Sequence, residues 1–130
     1  MLPALPTVTI RLVQYGAQTA ANPNGSPTWA ITLDTTVART IQEPWKASVT
    51  NPYPDGVRAS ETRLFHVPNT RVRSAQDVGA HRADEIVWDG KVWRVVEVVH
   101  GVAMPGILAR SSAYCVRVRA DDRPAAGVTP

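Results

Sequence analysis

The stretch of sequence that decides the fold is residues 83–99, Ala-Asp-Glu-Ile-Val-Trp-Asp-Gly-Lys-Val-Trp-Arg-Val-Val-Glu-Val-Val. Two runs of β-branched and aromatic residues flank Asp89-Gly90, a preferred two-residue hairpin turn, because both central residues of this turn need a positive φ. A turn at this point fixes the register of the two strands. The predicted cross-strand pairs are Trp88–Lys91, Val87–Val92, Ile86–Trp93 and Glu85–Arg94. The segment therefore predicts a β-hairpin that carries Trp88 and Trp93 on one face.

Alternation of apolar and polar residues predicts further strands on both sides of this hairpin. The predicted strands cover residues 8–15, 29–34, 62–67, 71–73 and 114–119. Residues 35–42 are compatible with a short helical turn before Pro44, and residues 45–49 with an extended segment. Six or so short strands separated by turns indicate an all-β fold, a small β-barrel or sandwich.

Proline and glycine indicate how the domain is organised. The chain of 130 residues contains 11 Pro and 8 Gly along its length, which argues against long helices. We expect one β-barrel domain over residues 1–120, with inserted loops at about 16–28 and 44–60. Residues 121–130 are polar, contain proline and lack periodicity, so we expect a flexible C-terminal tail.

Charge and hydropathy exclude several classes of protein. Fourteen Lys and Arg against 11 Asp and Glu give a net charge of +3, short of the basic stripe of a dedicated nucleic-acid binder. No apolar run approaches the roughly 18 residues of a membrane helix, and the first residues lack the pattern of a signal peptide. A single cysteine cannot form an internal disulfide. We therefore expect a soluble, non-secreted protein with no membrane partner.

No combination of nucleophilic or metal-binding residues points to catalysis. The three histidines lie far apart, and none has a second ligand at metal-binding spacing, so we expect structural or solvent-exposed roles for them. Cys115 lies within a predicted strand, where a thiol most often behaves as a small buried hydrophobic residue. Ser111-Ser112 lacks the Gly-x-Ser-x-Gly motif of a nucleophile elbow.

Three carboxylates near the hairpin, Asp84, Glu85 and Asp89, have the residue types of an acid–base pair or a metal site. The hairpin turn accounts for Asp89, and the cross-strand pair with Arg94 accounts for Glu85. Only Asp84 has no local explanation. The sequence thus predicts no catalytic, metal-binding or cofactor-binding residues, no cofactor and no enzymatic activity.

Residues 84–95, Asp-Glu-Ile-Val-Trp-Asp-Gly-Lys-Val-Trp-Arg-Val, followed by Val98, resemble the "aDvI.wdGk.y.V..v" signature of the head-closure proteins of tailed bacteriophages. These stopper, or head-to-tail joining, proteins form part of the phage neck. The upstream order, an arginine-bearing strand at 62–67, then 71–73 and a variable loop, is also similar. The resemblance covers about residues 58–120, and it implies a small β-barrel with long loops and no enzymatic activity.

The resemblance also implies the partners and the location of the protein. A homo-oligomeric ring of roughly six or twelve copies would sit in the virion neck after assembly in the bacterial cytoplasm. A portal or adaptor protein would contact it on the head side, and a tail terminator or tail tube protein on the tail side. The ring would surround the channel and contact packaged double-stranded DNA without reading its sequence.

Two groups of residues are candidates for these contacts. The first group consists of arginines, whose alternative role is an ordinary solvated sheet face. The second group lies in the proline-rich loop and the tail, which we expect to become ordered on neighbouring subunits or rings. The candidates that would face the DNA channel are Arg58, Arg63, Arg71, Arg73 and Arg82. The candidates for contacts between subunits or with partners are Pro52, Tyr53, Pro54, Asp55, Asp121, Asp122 and Arg123.

Two other functions stay open at this point. Within the virion, the chain could be a tail terminator or a minor tail protein. A different class is a stand-alone β-barrel that binds nucleic acid and stacks bases on exposed aromatic residues. Its only candidates for stacking are Phe65, Tyr114, Trp88 and Trp93.

Overall fold

Six antiparallel strands close into a barrel in the computed structural model of the chain, which describes residues 6–19, 28–50, 52–74, 82–101 and 110–118. Around the barrel the strands follow the order β1-β2-β3-β6-β5-β4. Their bounds are β1 Val8–Thr19, β2 Thr28–Glu43, β3 Thr62–Pro68, β4 Glu85–Trp88, β5 Lys91–His100 and β6 Arg110–Arg117. A 3₁₀ turn at Ala59–Glu61 precedes β3. The predicted all-β barrel is confirmed.

The β4–β5 hairpin has the predicted register at each of its four pairs, from Glu85 opposite Arg94 to Trp88 opposite Lys91. Asp89 and Gly90 have φ values of 55° and 70°, as the two central residues of this turn require. Local turn chemistry therefore determines this part of the structure.

The predicted helical turn at residues 35–42 is wrong, because β2 continues through them to Glu43 and pairs with β1 from Thr19 to Val8. Their β-branched side chains favour the extended conformation that this pairing supplies. A shift in the β1–β2 register between Val8 and Ile10 lies beside Arg39, which has a φ of 61°. This irregularity lets a 16-residue strand bend from one side of the barrel to the next.

Other predicted bounds also change. Residues 71–73 form no strand and are bound instead by Asp84, which accepts from the backbone N–H of Arg73. Residues 45–49 also lie outside the strands. The last strand covers Arg110–Arg117 instead of 114–119. The predicted loop at 16–28 is shorter, since β1 reaches Thr19 and β2 begins at Thr28. Residues 20–27 and the predicted tail at 121–130 lie outside the described residues.

The interior of the barrel holds a tightly packed apolar core. Phe65 lies at its centre and meets Trp88 and Trp93 edge-on, with ring centroids 5.9 and 6.1 Å apart. Cys115 is fully buried there, and burial raises the pKa of its thiol well above the ordinary value. The buried members of this core are Ile10, Leu12, Phe65, Val67, Val72, Ile86, Trp93, Val95, Ala113 and Cys115.

A second apolar cluster lies on the outer face of β3 and β6. Trp45 is buried against Leu64 and Val116, and its ring meets Tyr53 and Tyr114 edge-on at 5.3 and 5.1 Å. The Tyr53 hydroxyl donates a hydrogen bond of 2.6 Å to the carbonyl oxygen of Trp45. These contacts hold the chain between β2 and β3 against the side of the barrel.

The central position of Phe65 predicts a large loss of stability when its ring is removed. Phe65→Ala should lower the free energy of unfolding by about 3–5 kcal/mol, because it removes apolar contact and leaves a cavity. Urea denaturation measures this change. Val99→Thr, at a β5 residue that is 54% exposed, is the control and should change it by less than about 0.5 kcal/mol. A loss of under about 1 kcal/mol for Phe65→Ala would contradict the packing described.

Candidate functional site

The five arginines predicted to face DNA do not form one patch. Arg58 and Arg71 are exposed. Arg63 packs over the ring of Trp88, with its guanidinium carbon 5.3 Å from the ring centroid, at the end of β4. Arg73 and Arg82 lie at the other end of β4, where each pairs with a buried carboxylate. Three of the five side chains therefore have partners within the chain.

Asp84 is fully buried just before β4 and joins several segments of the chain. Its Oδ2 accepts hydrogen bonds from the backbone N–H of Arg73 at 2.7 Å and from Gln14 Nε2 at 2.8 Å. Its Oδ1 accepts from Arg73 Nε at 3.2 Å. Burial disfavours the charged form more than these bonds favour it, so the pKa of Asp84 is raised. Asp84, the carboxylate without a local explanation in the sequence, thus links separate segments of the fold.

Glu85 is also buried, and it belongs to a second polar contact on the outer side of β1 and β4. The Tyr15 hydroxyl donates a hydrogen bond to Glu85 Oε1, and Arg82 Nη2 lies 3.5 Å from Oε2. The Arg82 guanidinium also lies over the Tyr15 ring at 5.5 Å. Burial and the bond to Glu85 raise the pKa of Tyr15. Arg94 lies opposite Glu85 as predicted, but Tyr15 and Arg82 are the groups that bind this carboxylate.

His66 connects two other polar side chains on the outer face of β2, β3 and β6. Its Nδ1 lies 2.8 Å from Ser112 Oγ, and its Nε2 lies 3.3 Å from Glu43 Oε1. This is the connectivity of a nucleophile, base and carboxylate, although an oxyanion hole would also need free N–H donors beside the serine. Ser112 is paired on both sides, with His66 in β3 and Val99 in β5. The trio therefore serves as a cross-strand contact.

The distal parts of β1 and β2 form a two-stranded ribbon. Within the described residues, β4 pairs with β1 only over Arg11–Val13, and β3 pairs with β2 only over Ile41–Glu43. Residues 14–19 and 28–33 therefore pair with each other, and their outer edges have no strand partner among the residues that the structure describes. Ile31 and Leu33 are 43% and 39% exposed there. This combination of open edges and exposed apolar side chains is the clearest candidate interface in the described structure.

Two features fix the geometry of this ribbon. A Cβ at residue 16 would lie 2.6 Å from Thr32 Cγ2, so Gly16 permits the close approach of the two strands. Arg11 forms two hydrogen bonds of 2.6 Å to the carboxylate of Asp34 on the neighbouring strand. This bidentate pair lowers the pKa of Asp34 and holds the register at the base of the ribbon.

The predicted contact residues are divided between exposed and packed positions. Pro52 and Asp55 are exposed, while Tyr53 and Pro54 are half-buried, and Tyr53 packs on Trp45. Asp121, Asp122 and Arg123 lie outside the described residues. Within the described part of the chain, no cluster of three potential ligands has the geometry to hold a metal ion. The same residues contain no helix that is long and apolar enough to cross a membrane.

Comparison with known proteins adds no assignment: no family model matches the sequence, and no curated protein matches it significantly. A function for this chain therefore has to be inferred from the contacts of the described residues.

The buried contact between Tyr15 and Glu85 predicts a specific cost for a small change. Tyr15→Phe should lower the free energy of unfolding by about 1–3 kcal/mol, because it leaves a buried carboxylate without its hydroxyl donor. Tyr53→Phe is the matched control, since that hydroxyl donates to a neutral, partly buried carbonyl group, and we expect about 0.5–1.5 kcal/mol. Denaturation in urea at neutral pH compares the two. An equal or smaller cost for Tyr15→Phe would contradict the role given to Glu85.

The raised pKa of Asp84 predicts a pH dependence of stability. The folded protein binds this proton more tightly than the unfolded chain, so the contribution of Asp84 to stability improves as pH falls through its folded-state pKa. The difference in unfolding free energy between wild type and Asp84→Asn should therefore increase from neutral pH to about pH 4.

Asp34→Asn provides a control of opposite sign, because the pKa of Asp34 is lowered in the folded protein by its hydrogen bonds to Arg11. The stability that Asp34 supplies is present above its ordinary pKa of 3.8 and is lost as pH falls below it, so the corresponding difference should stay nearly constant down to about pH 5 and decrease from there to about pH 3. Denaturation curves at several pH values measure both. A difference for Asp84→Asn that is constant or decreases as pH falls would show that its pKa is not raised.

Proposed function

We propose that this chain is a non-enzymatic structural protein of a tailed-phage virion, and that its copies form a ring in the neck. The ring connects the portal or adaptor of the head to the tail and surrounds the DNA channel. The resemblance of residues 84–98 to head-closure proteins supports this proposal, as does the closed barrel that the resemblance implied. The observation that carries it is the open-edged ribbon of β1 and β2.

A two-stranded ribbon with open edges is unfavourable on its own in water. Such ribbons are marginally stable, and unpaired N–H and C=O groups at a strand edge pair readily with another chain. Elsewhere in the described barrel each strand has a partner on both sides for at least part of its length, although β5 past Val95 pairs with β6 alone. Ile31 and Leu33 add apolar surface to the same ribbon. The ribbon thus has the backbone groups and the side chains of an assembly arm.

A second copy of the chain is the partner that we propose for this arm. A closed ring uses heterologous contacts, in which one patch of each subunit meets a different patch of the next. The chain exposes further apolar side chains away from the ribbon, at Val49 and Val99, which are 100% and 54% exposed. Either residue would provide an apolar position away from the ribbon for contact with the ribbon of a neighbour.

The charge of the subunit is compatible with a channel that holds DNA. Each copy has a net charge of +3, and a ring multiplies this value by its number of subunits. Arg58 and Arg71 are exposed and have no carboxylate partner within the described residues. Contacts of this kind with phosphate groups would not depend on DNA sequence.

The described aromatic residues give little support to a stand-alone protein that stacks bases. Phe65 and Trp93 are buried, and Trp88 and Tyr114 are partly buried against Phe65 and Trp45. A stacking platform needs ring faces open to solvent. A tail terminator or minor tail protein would use the same ribbon, and electron microscopy of labelled particles would distinguish it from a neck ring by its position.

The proposed arm predicts that a charge on the apolar face of the ribbon prevents assembly. Leu33→Glu should weaken self-association by at least about tenfold, or 1.4 kcal/mol, because it places a carboxylate in an apolar contact. Sedimentation velocity over a range of concentrations measures the association, and circular dichroism checks the fold.

Thr36→Glu is the matched control, since it adds the same charge at another exposed position of β2. We expect it to assemble like the wild type. A wild-type chain that stays monomeric up to millimolar concentration would contradict self-assembly through the ribbon, and equal effects of the two substitutions would contradict the role of Leu33.

A further inference from the structure

One end of the barrel opens into a cleft of about 240 Å³. It lies where β4 turns into β5, beside the start of β3 and the end of β6. Its lining includes three cationic side chains, one carboxylate, two hydroxyl groups and two indole rings. The charged residues are Arg63, Lys91, Arg117 and Asp89.

The strand register explains why the cationic groups meet at this end. Arg63 lies opposite Cys115, whose side chain belongs to the barrel core, so Arg63 is on the inward face of β3. Arg117 lies opposite Trp93, which also belongs to the core. Arg63 is therefore the first inward-facing position of β3 and Arg117 the last of β6, which places both at the same end of the barrel. Lys91 is the first residue of β5 and completes the group.

The charges of this cleft are only partly balanced. Lys91 Nζ lies 3.5 Å from Asp89 Oδ2, and that carboxylate is largely exposed. Neither Arg63 nor Arg117 has a carboxylate within ion-pair distance among the residues that the structure describes. The Nε of Arg63 is buried and has no hydrogen-bond partner there.

Three other arginines of the described structure have the carboxylate partner that Arg63 and Arg117 lack. Arg11 pairs with Asp34, Arg73 with Asp84 and Arg82 with Glu85. Three cations around one cleft repel each other, and an anion bound between them would remove that repulsion. The cleft therefore has the electrostatics of an anion site.

We propose that this cleft binds a phosphate group. Arginine presents planar N–H donors that match the oxygens of phosphate, and lysine adds a further cation. The volume of the cleft admits a phosphate with an attached sugar, but it is too small for a helix or a folded partner. The site is a property of the single barrel and does not depend on the ribbon or on ring formation.

The aromatic residues of the cleft favour recognition of the phosphate instead of a base. Trp93 is 4% exposed, and its Nε1 donates a 3.4 Å hydrogen bond to the carbonyl oxygen of Trp88. The Trp88 ring has Arg63 on it and Phe65 at its edge. Trp93 is buried and Arg63 covers the Trp88 ring, so the cationic groups are the main feature that would hold a ligand, through its charge. A nucleic-acid backbone and a small free phosphate both satisfy this chemistry.

The test uses inorganic phosphate as the first probe of the full chain. Nuclear magnetic resonance should show phosphate-dependent shifts at residues 60–63, 88–91 and 117. Arg117→Gln should weaken this binding by at least about tenfold, since it removes an exposed cation that does not support the core. Arg117→Lys should recover part of the affinity, which a purely structural role of Arg117 would not explain.

Arg110→Gln is the matched control, because it removes the same charge from an exposed position at the opposite end of β6. We expect it to leave phosphate binding at the cleft unchanged. No shifts at up to about 50 mM phosphate, or an equal loss in both glutamine variants, would overturn the proposal, because screening by net charge alone would produce the second result.

A second probe identifies the source of the phosphate. A DNA duplex of about 20 base pairs should compete with inorganic phosphate for the same residues if the ligand is a nucleic-acid backbone. Arg117→Gln should then reduce the salt dependence of DNA binding by about one unit of slope, as the loss of one phosphate contact predicts. Phosphate binding without competition by the duplex would support the same site with a small free phosphate as its ligand.

Discussion

The barrel closes between β1 and β4, two strands that pair at only three positions, Arg11–Val13 against Glu85–Val87. Asp84 lies beside this short ladder and binds Gln14 of β1 and the backbone of Arg73 through its carboxylate. Its backbone carbonyl group also accepts a hydrogen bond from Val95 of β5. One buried residue thus links β1, β5 and the segment after β3. Since so few ladder bonds close the barrel, we infer that closure depends on these contacts of Asp84.

Closure of the barrel also determines which surfaces remain open. Among the described residues, the strand edges without a ladder partner include the part of β1 and β2 that extends past β4 and β3. The exposed Ile31 and Leu33 lie on that extension. β2 has 16 residues and β4 has four, so β1 and β2 extend beyond the barrel as the ribbon that we propose as an assembly arm.

The arginines divide into two groups by their surroundings. Arg73 and Arg82 pair with carboxylates that are buried at one end of β4, where they stabilise the fold. Arg63 and Arg117 lie at the opposite end, in a cleft that contains Asp89 as its carboxylate. The same residue type thus serves structure at one end of the barrel and is available to a ligand at the other. Counting arginines along the sequence does not separate these groups, because the difference depends on which carboxylates lie nearby.

The sequence by itself determined the β4–β5 hairpin, its register and the all-β class, because turn chemistry and side-chain alternation act between residues close in the chain. It also predicted β3 closely and marked Asp84 as the carboxylate without a local explanation. Only the tertiary structure decided the full length of β2, the role of Asp84 and the meeting of Arg63 with Arg117. These features depend on pairings between distant segments, such as Gln14 with Asp84 and Arg63 with Cys115. No local pattern encodes such contacts, since they form only when the strands have closed into the barrel.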